Sequence, residues 1–158
     1  MRRQFHPMLL KYMRDNPRIW LITADLGYKM FDQIQTEFPD RFVNTGAAEQ
    51  TMIGTAVGLA DEGLIPVCYS ITPFLLWTPA AWLRNYVNHE RVSVKLVGGG
   101  RGTDYLHDGH THDASDDKAF LSLLPNIRGF WPESLDDLDW SIQEWLFCQG
   151  PAYLNLKR

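Results

Sequence analysis

The sequence predicts an α/β fold of the doubly wound kind: a mainly parallel sheet of about six strands with helices on both faces. Three observations carry this expectation. Short apolar runs alternate with helical periodicities from one end of the chain to the other. Several of the apolar runs end in Gly or Asp turns, where a strand hands over to a helix. The 158 residues, with 45% hydrophobic and 22% charged side chains, describe an ordinary globular domain spanning 1–158, with no room for a second.

Phe5, Met8, Leu9 and Tyr12 recur at helical spacing and predict a helix over 3–15, closed by Pro17. Residues 19–24 read as a buried strand ending in Asp25-Leu26-Gly27. A short helix is expected over 30–38 and a strand over 41–44. The chain then turns at Gly46 into a helix of small residues over 47–62, stopped by Gly63. Gly54 and Gly58 each cost that helix roughly 1 kcal/mol relative to Ala, so close packing across an interface is expected to offset them. Residues 65–71 are strand again, with Pro66 where the start of a strand tolerates it. An aromatic helix is expected over 74–88, then a strand over 93–97, the run Gly98-Gly99-Gly100 and a polar loop to about Ala114. Helix over 118–124, strand over 126–131, helix over 135–147 and strand over 152–156 complete the alternation.

Composition narrows the function. A net charge of −4 gives no support to nucleic-acid binding. No stretch of about 18 apolar residues suggests a membrane span, and Met1 to Pro7 lead into no signal-like apolar segment. Cys68 and Cys148 are too few for a secreted disulfide framework, and neither is read as a nucleophile. A cytoplasmic protein is expected.

Ligands of doubly wound sheets bind beyond the carboxyl ends of the strands. Here those segments are Asp25-Leu26-Gly27, Gly46 to Gln50, Ser70 to Phe74 and Gly98 to His112. Glu49 opens the small-residue helix, where the dipole and the free backbone donors favour an acid; a plain helix-start role is the ordinary reading. Gly98 and Gly100 begin a G-x-G-x-x-G pattern, but its third position is Thr103 and no helix opens there, so the dinucleotide reading fails. A phosphate-binding turn helped by Arg101 stays open beside a simple polar loop. His107, His110 and His112, with Asp108 and Asp113, are zinc-ligand types, but they share one loop without a cysteine. Tyr69, Phe74, Trp77 and Trp82 are core rings by default, or platforms for a flat heterocycle.

Four of these strings, in this order, resemble the pyrimidine-binding domain of the transketolase family of thiamine-diphosphate enzymes. They are Thr23-Ala24-Asp25-Leu26-Gly27, the Gly46 to Gln50 turn with its helix, Tyr69 to Phe74, and Asp108-Gly109-His110-Thr111-His112. The resemblance implies that Glu49 hydrogen-bonds a ring nitrogen of the cofactor's aminopyrimidine and so promotes loss of the thiazolium proton. It implies Phe74, or Trp77 one turn later, as the stacking ring, with Asp25, Leu26 and Tyr69 completing the cofactor set. His112 is implied as a catalytic residue that meets the substrate together with Asp108 and His110. His110 stands where the family usually has Pro.

The family holds the diphosphate and its Mg2+ on a separate domain with a Gly-Asp-Gly motif and a later Asn, and this sequence has no such motif. A chain without the family's C-terminal domain is also expected. The resemblance therefore implies a subunit of a split enzyme, paired with a diphosphate-binding chain as a heterotetramer. The expected reaction moves a two-carbon ketol unit from a ketose-like donor to an aldehyde acceptor. Trp131-Pro132 replaces the family's Arg-Pro pair and Lys29 a small hydroxyl residue, while Arg2 or Arg3 offers another basic contact; a substrate less dependent on phosphate is expected. The rival readings are a 2-oxoacid decarboxylase or dehydrogenase subunit, a scaffold subunit, and a metal-binding module on His107, His110 and His112.

Overall fold

Strand residues alternate between two apolar clusters, which is why helices cover both faces of the sheet. In the computed structural model, which describes residues 1–158, the elements run α1 (Arg2–Asp15), β1 (Ile19–Thr23), α2 (Asp32–Glu37), β2 (Phe42–Asn44), α3 (Glu49–Asp61), β3 (Ile65–Ile71) and α4 (Thr72–Leu76). They continue with α5 (Ala80–Trp82), β4 (Lys95–Gly99), α6 (Asp117–Ser122), β5 (Arg128–Phe130), α7 (Leu135–Phe147) and β6 (Ala152–Leu156). Leu21, Val67, Tyr69, Val97 and Leu154 point into the cluster shared with α1, α2 and α7. Their neighbours Ile22, Cys68, Leu96 and Tyr153 point into the one shared with α3, α4 and α6. Each large side chain so enclosed contributes roughly 1.5–3 kcal/mol toward offsetting chain ordering.

The strand order is β2-β1-β3-β4-β6-β5 and every pairing is parallel. After β1 the chain steps outward to β2 and returns to place β3 on the other flank of β1. That reversal opens a crevice beyond the carboxyl ends of β1 and β3, the usual ligand position in such sheets. Pro66 fits inside β3 because pairing with β4 begins only at Val67.

The expected aromatic helix over 74–88 is not one helix. α4 ends at Leu76, α5 begins after Pro79, and residues Leu83–His89 form a π-helix. Pro79 lacks the N–H that would carry a helix across the junction. α7, in contrast, starts with a reciprocal cap: the Asp137 N–H donates to Ser134 Oγ at 3.0 Å and the Ser134 N–H to Asp137 Oδ2 at 3.1 Å, worth about 1 kcal/mol.

The glycine run also has a packing cause. A Cβ on Gly98 would lie 2.5 Å from Thr72 Oγ1, and one on Gly99 would lie 2.6 Å from the Tyr69 hydroxyl. The run lets side chains from β3 and β6 cross the end of β4.

Candidate active site

Asn44, the last residue of β2, ties two of the carboxyl-end turns together. Its Oδ1 accepts the Asp25 N–H and the Gly46 N–H, each at 3.0 Å. Asp25 is left-handed at φ 54°, a conformation that costs a non-glycine residue on the order of 1 kcal/mol and that the Asn44 bond helps to hold. The Gly46 turn, at φ 69°, delivers Glu49 to the first position of α3. Glu49 is 9% exposed, yet its carboxylate takes part in none of the chain's side-chain hydrogen bonds or ion pairs. Its oxygens keep contact with solvent, and a carboxylate held at a helix N-terminus without a partner of its own is free to take one from a ligand.

One residue further, Gln50 Nε2 donates to the Thr78 carbonyl at 3.4 Å, linking the start of α3 to the corner that carries Phe74 and Trp77. Phe74 meets the His112 ring edge-on, with centroids 5.0 Å apart. Trp77 is half exposed, packs edge-on against Phe120 and donates its indole N–H to Asp116 Oδ2 at 3.1 Å. Phe74 and Trp77, with His110, Thr111 and Asp113, line a cleft of about 330 Å³, and His112 is not part of that lining. The structure thus brings together the aromatic corner and the histidine loop, two features that lie far apart along the chain.

Other expected site residues stand elsewhere. Tyr69 is 1% exposed and packs edge-on against Phe31; burial raises the pKa of its phenol, and its ring supports the crevice from inside the core. Leu26 is half-buried against the same core cluster, and Asp25 is exposed at the end of β1. Asp108 is exposed and pairs with His107 at 3.4 Å rather than facing the cleft. No group of three or more His, Cys, Asp or Glu side chains converges to hold a metal.

Arg101 is not available as a phosphate ligand. Its guanidinium donates to Asn155 Oδ1 at 2.7 Å, to the Asn155 carbonyl at 2.8 Å, to the Pro132 carbonyl at 3.1 Å and to Glu133 Oε1 at 2.8 Å. Asn155 Nδ2 donates in turn to Thr72 Oγ1 and to the Tyr153 hydroxyl, and the Tyr153 hydroxyl to Asp117. Positive charge without an acidic partner gathers instead in a cleft of about 310 Å³ lined by Arg2, Arg3, His6, Tyr28, Lys29 and Met30, where Arg2 also donates to the Tyr105 hydroxyl. Burial lowers the pKa of His6, whose Nε2 has no partner. Its participation went unseen in the sequence because a His in the first turn of an amphipathic helix carries no motif.

The profile of the transketolase pyrimidine-binding domain matches residues 1–158. The chain belongs to the transketolase pyrimidine-binding domain family. It is 31% identical to a putative transketolase C-terminal section of Methanocaldococcus jannaschii, over 161 aligned residues that cover 100% of this chain and 50% of the relative. It is also 31% identical to the 6-deoxy-6-sulfo-D-fructose transketolase subunit SqwH of a Clostridium species (strain MSTE9), covering 96% of this chain and 47% of that one. Among solved structures, an inactive β4 tetramer of a split-gene transketolase superposes with a TM-score of 0.84 at 28% identity, covering 98% of this chain and 50% of the other. The chain thus spans about half the length of these relatives. The all-parallel six-stranded sheet is that of a transketolase pyrimidine domain, and the family depends on thiamine diphosphate. The residues present fit the pyrimidine end of that cofactor on one observation, the unpartnered carboxylate that Glu49 presents at the first position of α3.

Proposed function

We propose that this chain is the pyrimidine-binding subunit of a heteromeric, thiamine-diphosphate-dependent transketolase-like enzyme. The observation that carries the proposal is Glu49: a carboxylate at the first position of α3, on a largely enclosed residue but with oxygens open to solvent and without a partner in its own chain, at the carboxyl edge of the sheet. In this reading the Glu49 carboxyl shares a proton with a ring nitrogen of the aminopyrimidine and orients the ring. Phe74 and Trp77 offer it their faces, and Tyr69 and Leu26 back the pocket while Asp25 borders it. When bound, thiamine diphosphate supplies the carbanion-stabilising centre for two-carbon transfer, and the protein supplies orientation and electrostatics.

His110 lines the cleft beside Phe74 and Trp77, and His112 packs edge-on against Phe74. They are placed to donate hydrogen bonds to hydroxyls of a ketose-like donor, and Asp108 joins them when its loop engages substrate. Arg2, Arg3 and Lys29 suit an anionic end on the donor or acceptor, phosphate or sulfonate, by charge and by the lack of any carboxylate lining their cleft. The chain has no Gly-Asp-Gly motif and no convergent metal ligands, so the diphosphate and Mg2+ are assigned to a partner chain, with a heterotetramer as the assembly. That relatives of this chain are transketolase subunits supports this assignment.

The test is a donor panel run on the chain reconstituted with its diphosphate-binding partner. Ketol transfer from ketoses to aldehydes is expected. Turnover of 2-oxoacids alone would replace this reading with the decarboxylase one.

A further inference from the structure

Lys95 is the one basic side chain enclosed in the core, at 2% exposure, and none of the chain's ion pairs includes it. Its Nζ donates to the carbonyls of Cys148 and Gly150 at 2.8 and 2.7 Å and lies 3.6 Å from Cys148 Sγ. The Cys148 thiol has a separate acceptor, the Trp145 carbonyl at 3.4 Å, so the sulfur faces the amine. Cys148 is half-buried, within reach of a small oxidant, whereas Cys68 is sealed in the core. Burial lowers the pKa of Lys95, with Cys148 opposing that shift, and this favours the free amine that a nucleophile needs.

We propose that Cys148 and Lys95 form a reversible, oxidant-dependent sulfenamide cross-link between β4 and the turn that joins α7 to β6. The oxidant is a hydroperoxide. The Cys148 sulfur attacks its terminal oxygen, the O–O bond breaks, and sulfur gives up two electrons to become a sulfenic acid while water or an alcohol leaves. The Lys95 lone pair then attacks the sulfur. An S–N bond forms, the S–O bond breaks, and the hydroxyl departs as water with one of the amine protons. Two equivalents of thiol reverse the link, restoring amine and thiol and leaving a disulfide of the reductant. The link closes a loop between residues 53 apart in sequence, and it ties the end of α7 to the strand that leads to Gly98 and Gly99.

The purified full chain is treated with hydrogen peroxide, its free thiols are blocked, and it is digested with trypsin. The expected result is loss of cleavage after Lys95. Peptide 92–101 should then appear joined to peptide 129–157 at a mass about 2 Da below their sum, and dithiothreitol should restore both. Lys95→Arg keeps a buried cation and should abolish the link, letting Cys148 proceed to sulfinic acid. The proposal is overturned if Lys95 is cleaved as in untreated protein while Cys148 is unreacted, over-oxidised or joined to a backbone nitrogen.

Discussion

Asn155 donates its side-chain amide to Thr72 Oγ1 across 3.1 Å, and that bond joins the last strand to the corner from which Phe74 projects. Both residues are almost fully buried, at 0% and 1% exposure. Thr72 passes the connection on to the Gly100 carbonyl at 2.6 Å, so three strand ends share one polar network beneath the candidate cleft.

Asn155→Leu removes the centre of that network. It leaves Thr72 and Tyr153 each short of a donor and removes one of Arg101's acceptors, Asn155 Oδ1, while the backbone carbonyl of residue 155 still accepts from Arg101. A loss of about 2–4 kcal/mol is expected, read as a lower urea midpoint at unchanged slope. A change within about 0.5 kcal/mol would mean that the network adds nothing to stability.

Alkaline pH should unfold the chain for a nameable reason. Burial raises the pKa of the Cys68 thiol and of the Tyr69 and Tyr153 phenols above their ordinary values of 9.0 and 10.0. The unfolded chain releases these protons before the fold does. The stability they contribute is therefore complete below those ordinary values and is lost as pH rises past them, at about 1.4 kcal/mol per pH unit for each group. Lys95 has the opposite sign: its folded value is lowered, so its contribution grows with pH until about 10.5 and is then constant. Urea midpoints should thus fall most steeply above pH 10.5, and a midpoint that holds steady to pH 11 would contradict the burial of these groups.

The basic cleft makes a kinetic prediction. In the reconstituted enzyme, Arg3→Ala and Lys29→Ala should each raise KM for a phosphorylated or sulfonated substrate by about tenfold, the value of one charge-assisted contact, with kcat little changed. An equal loss with an uncharged ketose would remove the anion from the account.

Much of this was legible from the chain. The strands were visible because short apolar runs bounded by turn residues have few other uses. Glu49 stood out because a lone acid opened a helix of Gly and Ala. What escaped detection depends on tertiary pairing. Trp77 and Asp116 are 39 residues apart and Arg101 and Asn155 are 54 apart, so neither partner can be found by local spacing. The glycine run looked like a phosphate turn until the sheet register placed Tyr69 and Thr72 against it. The helix expected over 74–88 followed its aromatic spacing, while Pro79 and the π-helix after it follow backbone constraints that apolar periodicity does not report.

The most direct test of the central claim is the ketol-transfer rate of the two-chain assembly with Glu49→Gln, assembly being checked by size-exclusion chromatography. The account predicts an intact assembly and a kcat lower by about two to four orders of magnitude, because Gln presents an amide where the pyrimidine requires a carboxylate. Near-normal turnover by the intact assembly would contradict it.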